Sequence, residues 1–473
     1  MTVALRSTTL ALTRLPRVPN GTVMGLGFIV CANAACFVGG AGAVTVPFVG
    51  GAFVIAVLLA RVRPLAALEF ALWLWVLGPQ VRRMIDLSTG YHEPSLVLLA
   101  APLASLAALP HIRHLRRMGL GRAVRPLLVA AVAIAIGYAV GAVRLGLQPA
   151  TAALLVWVVP VLFGLQVVAV SDDVAELRAT VERFLIWSVL IVGVYGVVQF
   201  YVVPPWDAFW MDRAPMNSIG SPEPFQIRVF STLNSPGPLA AFLAAAVLCL
   251  TDARHRLRLP AQIAGYAGLA LSLVRAAWIA WLLGVLVVLV AGRPRARTTA
   301  VVAVTLITVG ALQISGPLQR VVADRIDETR EGEQDDSFVA RMDLHQEMVP
   351  RLLDDVVGHG LGTTGTASTL TAGRGDLAVL DSGLIDFGYS LGLPIGLLAL
   401  GALTFGGADL ARIGLRHDVV SAGVVAGGLS VLVQLLFGNA LTGVGGITFF
   451  LLWGLAVREI LDAQQQPRRE AVA

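Results

Sequence analysis

Side chains that could do chemistry are scarce in this sequence, and they gather in a few short stretches. The densest runs from Arg341 to Gly396. It opens Arg341-Met342-Asp343-Leu344-His345 and passes through Gly358-His359-Gly360-Leu361-Gly362-Thr363-Thr364-Gly365. It then reaches Asp381-Ser382-Gly383-Leu384-Ile385-Asp386 at the mouth of an apolar run. Two further arginines sit at the edges of apolar runs. Arg228 lies in Arg228-Val229-Phe230-Ser231-Thr232-Leu233-Asn234-Ser235-Pro236, and Arg275 in Ser272-Leu273-Val274-Arg275-Ala276-Ala277-Trp278. A guanidinium stays charged and grips phosphate oxygens through a two-pronged set of donors. Arg228, Arg275 and Arg341 together could hold a diphosphate without a metal. The competing reading is that each touches a lipid headgroup or snorkels from a helix end. Arg275 could equally brace a tight turn between helices.

The carboxylates and histidines supply the other half of such chemistry. Asp381 could remove a proton from a hydroxyl as a general base, or it, or Ser382, could cap the helix that follows. Asp386 lies one turn inside that helix, where an unpaired charge is costly; a buried arginine partner or a site role would explain it. His345 sits one turn after Arg341, on the same side if the segment is helical. His345 and His359 are each either a base or a surface histidine. The glycines at 358, 360, 362 and 365 lack the strand-helix setting of a nucleotide loop and fit a tight turn better. Arg82, Arg83 and Asp86 form a further polar cluster, either an ion-paired loop or a contact for an acceptor. No metal-ligand spacing appears, and Cys31, Cys36 and Cys249 all lie inside apolar runs, which fits packing better than a disulfide framework.

The elements that must position these residues are membrane helices. Of 473 residues, 56% are hydrophobic and only 14% charged, about half the charge of a soluble domain. Mean hydropathy is +0.78. Hydropathy predicts an all-α polytopic bundle of about fourteen spans. They fall roughly at 21–39, 43–60, 65–80, 95–110, 126–143, 150–170, 184–203, 237–251, 260–274, 276–292, 298–316, 383–404, 419–437 and 446–457. The run 260–292 is divided at Arg275 because a charge at the bilayer centre is expensive. The sequence has no lysine, so its 35 strong bases are all arginine. Arg61 and Arg63, Arg113 to Arg125, Arg254 to Arg258, Arg293 to Arg297, and Arg412 and Arg416 occupy alternate loops. Those loops and both termini are therefore expected in the cytoplasm, and the net charge of +5 reflects topology rather than nucleic-acid binding. The loops 81–94, 204–236 and 317–382 then face outward. The last is acidic and should hold a helix from about Ser337, with Pro350 bending or ending it.

Taken together, these stretches resemble the O-antigen ligase and polymerase family of bacterial envelope glycosyltransferases. The resemblance rests on the Arg228–Pro236 segment before a span and on the Ser272–Trp278 junction. It rests also on Arg341 followed by the Gly358–Gly362 turn, and on Asp381-Ser382 leading to Leu391-Gly392-Leu393-Pro394-Ile395-Gly396. It covers about Arg228 to Leu403. It suggests an N-terminal bundle over 1–227, a ligase/polymerase-like core over 228–404, and C-terminal spans with a tail over 405–473.

The resemblance implies a GT-C-like bundle in the bacterial cytoplasmic (inner) membrane, with its site outside the cytoplasm and neither metal nor cofactor. The implied donor is an oligosaccharide on undecaprenyl diphosphate; implied partners are membrane lipids, a flippase and a chain-length regulator. Arg228, Arg275 and Arg341 would neutralise the departing diphosphate, and Asp381 or His345 would activate the acceptor hydroxyl. Arg82, Asp386 and His359 are secondary candidates. Asp381 stands where ligases of the family usually have a histidine, which favours a polymerase over a ligase. The rival class is a secondary transporter or flippase for lipid-linked sugars, which should show broken helices and ionisable groups near the midplane.

Overall fold

A computed structural model describes residues 20–38, 41–117, 121–171, 173–214, 219–313, 348–371, 380 and 382–470. Among them the architecture is all-helical. The helices in chain order are α1 (Gly21–Val38), α2 (Thr45–Val62), α3 (Pro64–Thr89), α4 (Ala100–Leu106), α5 (Gly121–Leu145), α6 (Leu147–Val170), α7 (Val174–Val202) and α8 (Pro205–Arg213). They continue as α9 (Pro236–Cys249), α10 (Arg258–Leu271), α11 (Arg275–Ala291), α12 (Pro294–Gln313), α13 (Gly383–Leu391), α14 (Leu393–Arg416), α15 (Ala422–Gln434) and α16 (Gly443–Glu470).

Among the described residues, nine helical stretches are long and apolar enough to cross a membrane, and α9, α11 and α15 are shorter apolar helices. Large apolar side chains face outward on the peripheral helices, among them Val30, Leu58, Val132, Val290, Leu398 and Phe405. Water would not tolerate such a surface, whereas lipid tails solvate it at no cost. The chain is a helical membrane protein.

The centre is built from α3, α6, α9 and α16. α9 reads Pro-Gly-Pro-Leu-Ala-Ala-Phe-Leu-Ala-Ala-Ala-Val-Leu-Cys, apolar on every side. Such a helix has no face for water, and every residue from Leu239 to Leu248 is buried. Its alanines let neighbouring backbones come close. At about 1.5 Å per residue it spans only ~21 Å, which enclosure by other helices permits.

Helix polarity gathers the loops into two ends. Arg63 pairs with Glu176 at 3.7 Å, Arg178 with Glu459 at 3.3 Å and Arg293 with Asp418 at 3.2 Å. Those loops share one end, the far end. Arg82, Arg228, Arg275, Asp386 and the 358–365 turn lie toward the opposite end of the helices that carry or support them.

Local structure departs from the hydropathy reading in three places. α3 does not stop near residue 80 but runs to Thr89, so Arg82, Arg83 and Asp86 lie on its final turns and not in a loop. The apolar run after Asp381 is two helices, α13 and α14, broken at Gly392 (φ 84°). The stretch from Leu96 to Leu115 combines α4 with flanking 3₁₀ turns. The division at Arg275 is present: α10 ends at Leu271, Leu273 takes a left-handed φ of 53°, and α11 begins at Arg275. Of the expected outer-loop helix, the described part, 348–354, is helical and includes Pro350. Met348 and Leu352 pack there with Ile385 and Tyr389 of α13.

The glycine turn fixes the 358–365 loop to the bundle. Gly360 has φ 90°, and a Cβ there would lie 2.2 Å from the backbone nitrogen of Gly141 on α5. Leu361 N donates to the Gly137 carbonyl at 2.9 Å. Gly360→Ala should therefore strain the backbone and push the loop off α5. We expect a loss of roughly 2 kcal/mol or more, read as a lower melting temperature in detergent; an unchanged melting temperature would show that the loop does not depend on this approach.

Candidate functional site

Two arginines at the end of α3 are fully enclosed, and the site end is arranged around one of them. Arg83 is completely buried, as is Asp207 on α8. Arg83 Nε donates to Asp207 Oδ1 at 2.7 Å, and its two terminal nitrogens donate to the carbonyls of Leu233 and Ser231. The guanidinium also lies 5.0 Å from the centre of the Phe230 ring. Asp207 Oδ2 accepts from Tyr195 Oη at 2.8 Å and Gln199 Nε2 at 2.7 Å, both on α7. Gln199 Oε1 in turn accepts from the amides of Phe230 and Ser231, at 3.0 and 2.8 Å. Ser231 adopts φ 52° in this arrangement, and its Oγ donates to the Val192 carbonyl at 2.6 Å. The segment before α9 thus has its backbone polar groups matched by buried side chains rather than by secondary structure.

Arg82, on the neighbouring side of α3, is neutralised within the protein. It donates to Asp86 at 3.1 Å and to Glu93 at 2.8 Å, and it lies 4.5 Å from the Trp210 ring centre. The 90–95 loop is tied down by these contacts. Arg82 was expected in an ion-paired loop or as an acceptor contact; the ion pairs are there, built on a helix.

The same segment carries Arg228 to the break between α10 and α11. Val229 N donates to the Leu271 carbonyl at 3.0 Å. Arg228 Nε faces the Ser272 carbonyl at 3.4 Å, and Nη2 faces the Leu273 carbonyl at 3.3 Å. These carbonyls end α10, where the helix presents partial negative charge and welcomes a cation. Arg275 follows two residues later as the first residue of α11. Arg228 and Arg275 are both half-buried. Residues far apart in sequence are therefore brought to one junction at the site end.

A second polar node lies on α13. Ser382 accepts from Ile385 N at 3.4 Å and is the N-cap. Asp386 is buried and accepts three hydrogen bonds. Thr364 Oγ1 donates at 2.6 Å and Ser390 Oγ at 3.0 Å to Oδ1, and Asn439 Nδ2 at 2.6 Å to Oδ2. Its partners among the described residues are hydroxyls and an amide, not the arginine that was expected as one option. His359 stacks on Tyr389, centroids 3.8 Å apart and planes 9° apart, while its amide donates to the Tyr389 carbonyl at 2.8 Å. Its Nδ1 is buried without a hydrogen bond among the described residues. Burial holds the imidazole below its ordinary pKa, against the pull of Asp355. Asp355 is itself held more acidic by its hydrogen bond from Arg144 of α5.

Of the residues expected to form the site, Arg228 is seated on the helix break that Arg275 follows, Asp386 lies on α13 while His359 stacks on Tyr389 of that helix, and Arg82 stands apart in its own ion-pair cluster. Arg341, His345 and Asp381 lie outside the described residues. Sequence reading missed Asp207, Gln199, Thr364 and Asn439. Only Asn439 left a trace: a lone amide between the apolar runs 419–437 and 446–457. No family model matches the chain, and no curated protein does.

Because the folded chain keeps His359 neutral, protonation opposes folding. Its contribution is complete above the unfolded imidazole pKa of about 6.5 and is lost as the pH falls below it. Wild-type protein should lose melting temperature between about pH 7 and pH 5 more steeply than His359→Phe, whose ring preserves the stack. Equal slopes in thermal scans of the two proteins would remove His359 as the cause.

Proposed function

We propose that this protein is an extracytoplasmic glycan polymerase of the bacterial inner membrane. It transfers oligosaccharide repeat units from undecaprenyl diphosphate to a growing polysaccharide, by inversion and without a metal or cofactor. The observation that supports this most is the seating of Arg228 on the carbonyls of Ser272 and Leu273, beside Arg275. Two guanidinium groups at one helix break form a cradle for the two phosphates of a departing diphosphate. Arg341 completes the cradle in this proposal. The arginine-rich far end is cytoplasmic by the charge rule, which puts the cradle outside. About fourteen membrane crossings in a GT-C-like arrangement follow if α9, α10, α11, α12 and α15 cross in addition to the nine long apolar stretches.

In the reaction, the acceptor hydroxyl oxygen attacks the anomeric carbon of the lipid-linked sugar. The bond from that carbon to the diphosphate oxygen breaks, and its electron pair leaves on the diphosphate, where Arg228, Arg275 and Arg341 offset the new charge. The hydroxyl proton passes to Asp381, with His345 as the alternative base. Ser382 serves as N-cap of α13, so the adjacent carboxylate is not needed for that duty. The tails of donor and product lie among membrane lipids. A flippase would deliver the donor and a chain-length regulator would set the product size.

One observation favours a second reading, a transporter or flippase for lipid-linked sugars. The α13–α14 pair is broken at Gly392, and Asp386, in the first turn of α13, is buried without a cation partner among the described residues. Transporters place substrate and ion sites at such breaks.

Purified protein in detergent, given lipid-linked repeat units, should make longer glycans with no gradient and no vesicle. Arg275→Ala and Arg228→Ala should each cut polymer yield by roughly tenfold or more while the protein remains folded in the membrane. Absence of elongation in detergent, together with substrate movement in vesicles, would favour transport. Full polymer from both variants would remove the cradle.

A further inference from the structure

The far end of the bundle holds a cavity unrelated to the site just described. α9 separates the two: it starts at Pro236, beside the Arg83 network, and ends at Cys249 on the cavity wall. The cavity has a volume of about 350 Å³, and Arg178, Glu182, Asp252, Arg254, Arg293 and Ser421 supply its polar wall. Leu185, Val424, Leu452 and Leu455 supply an apolar one.

The polar wall presents groups of both signs. Arg254 N donates to Glu182 Oε1 at 2.9 Å, which holds the turn after α9 against α7. The Arg254 guanidinium points to no ion-pair partner among the described residues, whereas Arg178 and Arg293 each face a carboxylate outside the cavity wall, Glu459 and Asp418. Asp252 Oδ2 is buried and accepts no hydrogen bond among the described residues; the charge of Arg258 acts on Asp252 and Glu182, but its Nη1 donates to the Thr251 carbonyl at 3.0 Å. A buried, unbonded carboxylate oxygen calls for a donor, above all a cationic one. The exposed Arg254 guanidinium beside it can grip an anion. One ligand meets both needs if it carries a phosphate and an ammonium a few bonds apart, and an apolar remainder would suit the leucines.

We propose that this cavity binds the headgroup of a phospholipid with a primary ammonium, the phosphodiester facing Arg254 and Arg293 and the ammonium facing Asp252 and Glu182. A quaternary ammonium cannot donate a hydrogen bond, so phosphatidylcholine lacks the contact with Asp252. An anionic headgroup without an amine satisfies the arginines only.

Protein purified from vesicles of equal phosphatidylethanolamine, phosphatidylcholine and phosphatidylglycerol is examined by native mass spectrometry. Wild type should retain phosphatidylethanolamine over phosphatidylcholine by roughly tenfold, the worth of one charge-assisted hydrogen bond. Asp252→Asn should abolish that preference and leave phosphatidylglycerol retention intact. Asp252→Glu should keep the preference, and Arg254→Ala should weaken retention of all three phospholipids. Thermal unfolding of each variant separates lost binding from lost folding. Displacement of the lipid by free glycerophosphoethanolamine would keep the headgroup chemistry and assign it to a soluble ligand. Equal retention of the two zwitterionic lipids by wild type, an unchanged preference in Asp252→Asn, or a cavity filled by water alone would overturn the proposal.

Discussion

A fully buried ion pair, Arg83 with Asp207, is the constraint on which the site end depends. Taking two charges out of water costs several kcal/mol per ion in real proteins. That cost is offset only where the polar atoms are met, and here each nitrogen of the guanidinium and each carboxylate oxygen has a partner. The arginine spends its donors on the carboxylate and on two carbonyls of the 231–233 segment. The aspartate takes Tyr195 and Gln199 in return. Neither member can move without stranding the other. The pair therefore fixes a stretch of irregular backbone inside a membrane bundle, where such backbone survives only when protein satisfies it.

From that fixed stretch the rest of the site end can be traced. The segment leaves Arg228 against the end of α10, and the break that accepts it starts α11 at Arg275. α15, which packs against α11, runs toward Leu435, whose carbonyl accepts from Gly383 N at 2.8 Å. Asn439, four residues on, bonds Asp386. The glycine turn closes the sequence by laying Thr364 on the same carboxylate. Arginine junction and carboxylate node are thus separate structures joined through α11, α15 and α13. Both are held by rigid elements rather than by free loops.

Much of this was legible in the residues because local rules governed it. The charge of Arg275 predicted a break, since a helix carrying it through the bilayer centre would be costly. Asp381-Ser382, ahead of an apolar run, predicted a cap at one or the other, which Ser382 supplies, and the 358–365 glycines predicted a tight turn. What stayed hidden was set by distant partners. Gln80, Arg82 and Arg83 looked like the close of a span, yet α3 continues because Asp207, 124 positions away, receives Arg83. The partners of Asp386 come from 22 and 53 positions away, and no period or motif announces a lone threonine or asparagine. The break at Gly392 was masked by unbroken hydropathy on both sides.

The central claim is that Arg228 and Arg275 receive a diphosphate, and affinity tests it without the chemistry of transfer. Binding of a short-chain polyprenyl diphosphate to purified protein should weaken by roughly 100-fold or more when both arginines become alanine, while the matching polyprenyl alcohol binds the two proteins alike. The same diphosphate affinity in the double variant as in wild type would contradict it.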